Sequence, residues 1–195
     1  MGKRFKVTCV NLNVDNIEIN CSDEIKILGT ILVSASKFKI SLSKNKISFY
    51  VNANKLFSKL GCSNAPVFLS LLNSHCLSAL LYNLEVMTLV KSEINSINFA
   101  LTRTLMKLFN TFSNNNILEC MFFSGQLPLD VILFVRKGKF LGKLMKKNNM
   151  LTRVLHSSIE RDYLSICKAW NNMGGSLPLC KKQAWGIFEK RISTI

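Results

Sequence analysis

The stretch APVFLSLLNSHCLSALLYNL, residues 65 to 84, carries no formal charge over a length sufficient to cross a bilayer. Polar side chains nevertheless recur along one side of it at helical spacing; a lipid-exposed helix would have fewer such groups, whereas a buried bundle helix tolerates them. The pattern therefore predicts a bundle helix, and a basic membrane-associated helical protein remains an alternative interpretation. The polar positions are Ser70, Asn73, Ser74, Ser78 and Tyr82.

Four further segments have the apolar spacing of amphipathic helices. They cover residues 43–60, 91–112, 129–147 and 151–170. In the first, we expect Ser43 to cap the helix and Gly61 to end it. The buried stripe predicted for this helix consists of Ile47, Tyr50, Ala53, Phe57 and Leu60.

The N-terminal residues 4–33 alternate between apolar and polar side chains, which predicts β-structure. RFKVTCV and NIEINC read as the strands of a hairpin that turns at NLNVDN, and DEIKILGTILV reads as a third strand with Gly29 in its interior. The predicted fold is α+β and mainly α, with a small N-terminal antiparallel β element followed by a helical bundle. We divide the chain into a β-rich part at 1–36, a helical bundle at 37–155, and a C-terminal helix with an uncertain tail at 156–195.

The chain is strongly basic, because 26 Lys and Arg residues face 11 Asp and Glu residues for a formal charge of +15. Such an excess favours a polyanionic partner, nucleic acid before anionic membrane. Seven cysteines without a C-x-x-C spacing indicate reduced thiols and an intracellular protein, nuclear or cytoplasmic. With only two histidines in the chain we expect no metal site and no cofactor. Because residues 65–84 are predicted as a bundle helix, we expect no membrane partner.

The basic residues form two groups on either side of a nearly neutral middle section. No acid occurs from residue 25 to residue 84, and the later group precedes Glu160. We expect both groups to neutralise phosphates, so that affinity falls with salt. The candidate nucleic-acid-binding residues are Lys44, Lys46, Lys55, Lys59, Arg136, Lys137, Lys139, Lys143, Lys146 and Lys147.

Residues for catalysis are not apparent. No Asp-Asp pair, phosphate-binding glycine loop or G-x-S-x-G elbow occurs. Cys76 follows His75, but neighbours in sequence do not face each other on a helix, so a buried cysteine is the preferred interpretation. We therefore expect that the chain alone is not an enzyme.

Five segments occur in an order that resembles one family. They are IKILGTILVSASKF, ANKLFSKLG, LLNSHCLSALLYNLEV, INFALTRTLMKLFN and GKFLGKLMKKNNML, and the resemblance covers roughly residues 3 to 151. Together they resemble the C-terminal part, the end of the palm plus the thumb, of the reverse transcriptase of non-LTR (LINE-type) retrotransposons. In that family a Y-L-G element ends the palm, and a C-x-P-x-L-L-Y-G-x-E segment and an N-x-x-L-x-K-I-F helix follow.

The matches are residue by residue. Leu28 and Gly29 match the first element, in which Ile27 replaces the tyrosine, and the resemblance makes these three residues a primer-grip-like turn. In the second element Ser78 replaces the proline and Asn83 the glycine. The residues that match the second and third elements are Cys76, Leu80, Leu81, Tyr82, Glu85, Lys107, Leu108 and Phe109.

The resemblance implies a thumb-like fragment that holds template–primer nucleic acid, an RNA–DNA hybrid or duplex, through its backbone and without sequence preference. The family's catalytic A/F-A-D-D motif has no counterpart here, which implies a non-catalytic fragment of an RNA-directed DNA polymerase whose remaining domains another chain could supply. An inert structural relic of a mobile element, with no physiological ligand, is the alternative.

Overall fold

The computed structural model of the chain describes residues 12–14, 17–19, 22–35, 39–87, 89–175 and 179–193. Short antiparallel strands come first and helices follow, which confirms the α+β, mainly α fold. The strands are β1 (Leu12–Val14), β2 (Ile17–Ile19), β3 (Glu24–Ile27), β4 (Thr30–Val33) and β5 (Lys39–Ile40). The helices are α1 (Ser43–Leu60), α2 (Ala65–Leu71), α3 (Leu77–Leu80), α4 (Lys91–Phe109), α5 (Asn114–Phe123), α6 (Leu129–Met145), α7 (Met150–Val154), α8 (His156–Asn172) and α9 (Lys181–Ile192).

Strands β3, β4 and β5 form one antiparallel sheet in that order. The prediction of a single strand with Gly29 in its interior is wrong, because Ile27 pairs with Thr30 and the chain reverses between them. Leu28 and Gly29 both have positive φ, 46° and 83°, which is the geometry of a two-residue type I′ hairpin turn. The LG pair therefore stands at the tip of a hairpin.

Strands β1 and β2 pair separately, with Val14 opposite Ile17. Strand β1 lies inside the NLNVDN stretch that we predicted as the turn, so that prediction is wrong for Leu12–Val14. The predicted strand at 4–10 lies outside the described residues.

The uncharged stretch forms α2, a π-helical turn at Leu72–Cys76, and α3. It is a helix of the bundle, as predicted, with its apolar side buried and its polar side facing solvent. The five polar side chains Ser70, Asn73, Ser74, Ser78 and Tyr82 are all exposed. The buried side consists of Phe68, Leu69, Leu72, Cys76, Leu80, Leu81 and Leu84. Among the described helices, none combines the length and the apolar character that a bilayer span requires.

Helix α1 packs on this stretch and on α4. Its buried residues are Phe49 and Ala53, whereas Ile47 is 63% exposed. The predicted stripe is therefore partly wrong, because the helix is rotated so that Phe49 rather than Ile47 meets the core. Gly61 ends the helix as predicted, with φ of 60°. The prediction that Ser43 caps the helix is wrong, because Ser43 is its first residue and Leu42 is at the N-cap.

The second half of the bundle is built around α6, which packs against α4, α8 and α9. The predicted continuous helix at 151–170 is interrupted at Leu155, whose ψ of 3° leaves the helical range, so α7 and α8 are separate. The tail that we left uncertain contains α9. Its Phe188 is buried and meets the ring of Phe122 on α5 at a centroid distance of 5.8 Å.

Candidate nucleic-acid interface

Two of the five sequence segments that carry the resemblance meet in space, the one that contains Leu28 and the one that contains Tyr82. The hydroxyl of Tyr82 donates a hydrogen bond of 3.0 Å to the carbonyl oxygen of Leu28. The amide of Asn83 donates to the hydroxyl of Thr30 at 2.6 Å. Asn83 has a φ of 61°, a left-handed conformation that asparagine tolerates well, and this turns the chain after α3 toward the hairpin. The hairpin turn at Leu28 and Gly29 is thereby attached to the helical bundle.

A third contact comes from α1. The ammonium group of Lys44 donates to the carbonyl oxygen of Gly29 at 3.1 Å. A Cβ atom at Gly29 would lie 3.5 Å from Cε1 of Tyr82, so the tyrosine ring covers the turn. Leu28 points away from these contacts and is 85% exposed. The turn is therefore fixed by its backbone while it presents an apolar side chain to solvent.

Four of the ten candidate cations are engaged within the chain. Besides Lys44, Lys46 donates to the hydroxyl of Ser96 at 3.1 Å. Lys137 donates to the carbonyl oxygen of Met87 at 3.1 Å. Arg136 forms an ion pair of 3.1 Å with Glu85. These cations connect α1 and α6 to neighbouring parts of the fold, and a phosphate would compete with the acceptors they already have.

The side chains of the other six candidate cations are exposed and make no hydrogen bond or ion pair with any residue that the structure describes. Lys139 and Lys143 lie on α6 and Lys146 caps its C-terminus. With Arg136 they follow the spacing i, i+3, i+7 and i+10, which places them along one side of the helix. We call Arg136, Lys139, Lys143 and Lys146 the α6 stripe. Of the other three candidate cations, Lys55 and Lys59 lie on α1 and Lys147 follows α6.

Sequence reasoning missed a group of aromatic and basic residues on α4. Arg103 lies over the ring of Phe99 with 5.7 Å between its Cζ and the ring centroid. Lys107 lies over the ring of Phe57 on α1, with 4.3 Å from Nζ to the centroid. The basic and acidic residues of this middle section are nearly balanced in number, so the sequence analysis did not select any of them as binding residues. The sequence signal that could have revealed the group is the i, i+4, i+8 spacing of Phe99, Arg103 and Lys107, which places them on one side of a helix.

The adjacent His75 and Cys76 do not form a reactive pair. Cys76 is buried and His75 is exposed, in agreement with the sequence interpretation. Burial raises the pKa of the Cys76 thiol, so its reactive thiolate is disfavoured. Burial also raises the pKa of Tyr163, with a smaller contribution from Cys167. Within the described residues, no three His, Cys, Asp or Glu side chains come together in an arrangement that could hold a metal ion.

The chain matches no protein-family model, no curated protein and no solved structure. What it can bind is therefore inferred from the placement of its own side chains.

Proposed function

We propose that this chain is a non-catalytic, thumb-like part of a retroelement RNA-directed DNA polymerase, and that it binds template–primer nucleic acid through the phosphate backbone. The observation that carries the proposal is the α6 stripe, in which Lys139, Lys143 and Lys146 are exposed and lack a partner among the described residues. Cations placed this way can each neutralise a phosphate and release its counterions.

The charge around these lysines favours the same ligand. Helix α6 contains one acid, Asp130 in its first turn, and that carboxylate is 2.8 Å from the guanidinium of Arg191. Glu85 is likewise occupied by Arg136. The outer side of α6 therefore has an uncompensated positive charge. Lysine contacts to phosphates position a duplex without reading its bases, so we expect no sequence preference.

The contact between the hairpin and the Tyr82 corner supports the retroelement part of the proposal. The segments that resemble the palm-end element and the thumb element are joined by two hydrogen bonds, from Tyr82 and Asn83, and Lys44 of α1 adds a third hydrogen bond to the turn. A turn attached to a helical bundle in this way would move with the bundle as one unit. We propose that its exposed Leu28 faces the nucleic acid, inside the nucleus or cytoplasm.

The test is binding of an RNA–DNA hybrid and of a DNA duplex, measured by fluorescence anisotropy over a range of salt. Reversing the charge of Lys139, Lys143 and Lys146 to Glu should weaken binding to all sequences by at least about tenfold. The slope of log affinity against log salt should fall by about 2 to 3, because each lost phosphate contact removes about 0.9. The matched control reverses Lys168, Lys181 and Lys182, three exposed lysines on α8 and α9.

Equal losses in the two triple variants would show that net charge alone is responsible and would contradict the role of the α6 stripe. No binding tighter than about 10⁻⁴ M would favour the inert relic. The non-catalytic part is tested by primer extension. The chain alone should extend no primer, and activity should require the remaining polymerase domains in a second chain.

A further inference from the structure

A pocket of about 400 Å³ lies between α1 and α4, away from the α6 stripe in sequence. Helix α1 contributes Tyr50, Asn54 and Phe57, and α4 contributes Arg103 and Lys107. Phe112, beyond the end of α4, lies at its edge. The volume is within the usual range for sites that hold a small organic ligand, about 300 to 1,000 Å³.

The floor of the pocket is a fixed aromatic ring with a cation against it. Phe57 contacts the buried Phe68 at a centroid distance of 4.5 Å, so the core supports its inner side. Lys107 Nζ lies 4.3 Å from the Phe57 ring centroid. Neither Lys107 nor Arg103 makes an ion pair within the described part of the chain. The ammonium and guanidinium groups are therefore available to an anion that enters beside the ring.

Phe112, at the edge of the pocket, is an aromatic side chain that remains exposed to solvent in the folded chain. Phe112 is 86% exposed, although a phenylalanine of this kind gains free energy when it is covered. It follows Asn110, whose left-handed φ of 50° ends α4 and redirects the chain along the pocket. The carboxamides of Asn54 and Asn110 also line the pocket and offer both donors and acceptors.

A flat ring, an anion and hydrogen-bonding edges together are the chemistry of a nucleotide. Bases stack on exposed aromatic rings while cations hold the adjoining phosphate, and this works for every base because each has a π-face. A base inside a duplex is already stacked on both neighbours, so only an unpaired one can use Phe112 in this way. We propose that the pocket between α1 and α4 binds one unpaired nucleotide of a single strand, its base against Phe112 and its phosphate at Arg103 and Lys107.

The inference rests on the proposed function in taking nucleic acid as the ligand, but it uses a different site and a different part of that ligand. The experiment compares a blunt duplex with the same duplex carrying a short unpaired thymidine tail. Wild-type protein should bind the tailed duplex about tenfold more tightly, since stacking of one base is worth about 1 to 3 kcal/mol. Phe112→Ala should lose this gain and keep its affinity for the blunt duplex.

The matched control is Phe123→Ala, which removes another exposed phenylalanine, 85% exposed at the end of α5. It should keep the gain from the tail. The double variant Arg103→Gln with Lys107→Gln is a second probe and should reduce the same gain. Circular dichroism establishes that each variant is folded.

The outcomes separate the inference from the proposed function. If the blunt duplex binds and the tail adds nothing, the inference is overturned and the proposed function stands. If tailed duplex binds through Phe112 and blunt duplex does not bind, the inference stands and backbone binding of duplex fails. If neither binds, both fail. If Phe123→Ala loses the gain from the tail as fully as Phe112→Ala does, Phe112 makes only a general apolar contact and the inference is overturned.

Discussion

The hydroxyl of Tyr82 reaches the carbonyl oxygen of Leu28 across 54 residues of sequence, at a distance of 3.0 Å. This contact joins a hairpin tip to the turn that follows α3. The hairpin contributes few buried residues of its own, since every residue of β3 is exposed. Its position on the bundle therefore depends on a small number of hydrogen bonds, and each of them can be tested.

Tyr82→Phe keeps the aromatic ring over the turn and removes the donor. We expect the free energy of unfolding to fall by about 0.5 to 1 kcal/mol, the usual net worth of one such hydrogen bond. Denaturant unfolding measures it. The control is Tyr50→Phe, because the Tyr50 hydroxyl makes no hydrogen bond with a described residue. Equal effects of the two substitutions would argue against the contact.

Leu28→Asn should stabilise the chain. A leucine in the left-handed region costs about 1 to 2 kcal/mol, whereas Asn followed by Gly is the preferred pair for a type I′ turn. Because Leu28 is 85% exposed, its removal uncovers no core. Thermal unfolding should show a higher midpoint for Leu28→Asn and none of this gain for Leu28→Ala. A lower midpoint for Leu28→Asn would mean that the turn has another conformation.

Two glycines of α6 should respond oppositely to alanine. At Gly142 a new Cβ would lie 3.6 Å from Cε2 of Tyr163, an ordinary contact, so Gly142→Ala should stabilise the helix by about 1 kcal/mol. At Gly138 it would lie 2.9 Å from Cδ2 of the buried Leu179. Overpacking there costs about 1 to 3 kcal/mol and cancels the helical gain. Similar midpoints in thermal unfolding would contradict this difference.

The thiols should differ in reactivity. Cys62 is exposed and Cys76 is buried, so a thiol reagent followed by peptide mass mapping should label Cys62 in the folded chain and Cys76 only after unfolding. The raised pKa of Cys76 also fixes a pH dependence. Its contribution to stability is fully present below the ordinary thiol pKa, about 8.5, and is lost as pH rises through the folded-state pKa. Cys76→Ala should lose less stability over that alkaline range than wild type.

Helical and strand periods predicted a small β element followed by helices, but they did not predict α5 or the division of the third strand into β3 and β4. The polar side chains of the uncharged stretch were identified correctly as one side of a bundle helix, and Cys76 is buried as expected, because the residues opposite them are apolar. On α1 the prediction was less accurate, because apolar residues lie on more than one side. Whether Ile47 or Phe49 faces inward depends on the surface of the neighbouring π-helical turn and α3, which a local pattern does not contain.

The hairpin tip was missed for a local reason. Type I′ turns are usually recognised by Asn-Gly or Asp-Gly, and Leu28 is a residue type that rarely adopts positive φ. The prediction of the candidate cations was incomplete for a different reason. Sequence spacing groups Arg136 with Lys139, but it does not reveal that Glu85, from another part of the chain, is paired with the arginine and not with the lysine.

The π-helical turn at Leu72–Cys76 determines the direction of the Tyr82 hydroxyl. A π turn contains one residue more than an α turn, and one residue corresponds to a rotation of about 100° around the helix axis. If this turn became regular α-helix with all its residues kept, Leu80 would rotate out of the interior together with Tyr82, whereas removal of one exposed residue such as Asn73 would keep both in place. The orientation of Tyr82 toward the hairpin thus depends on a wide turn earlier in the same helical stretch, which accommodates one extra residue.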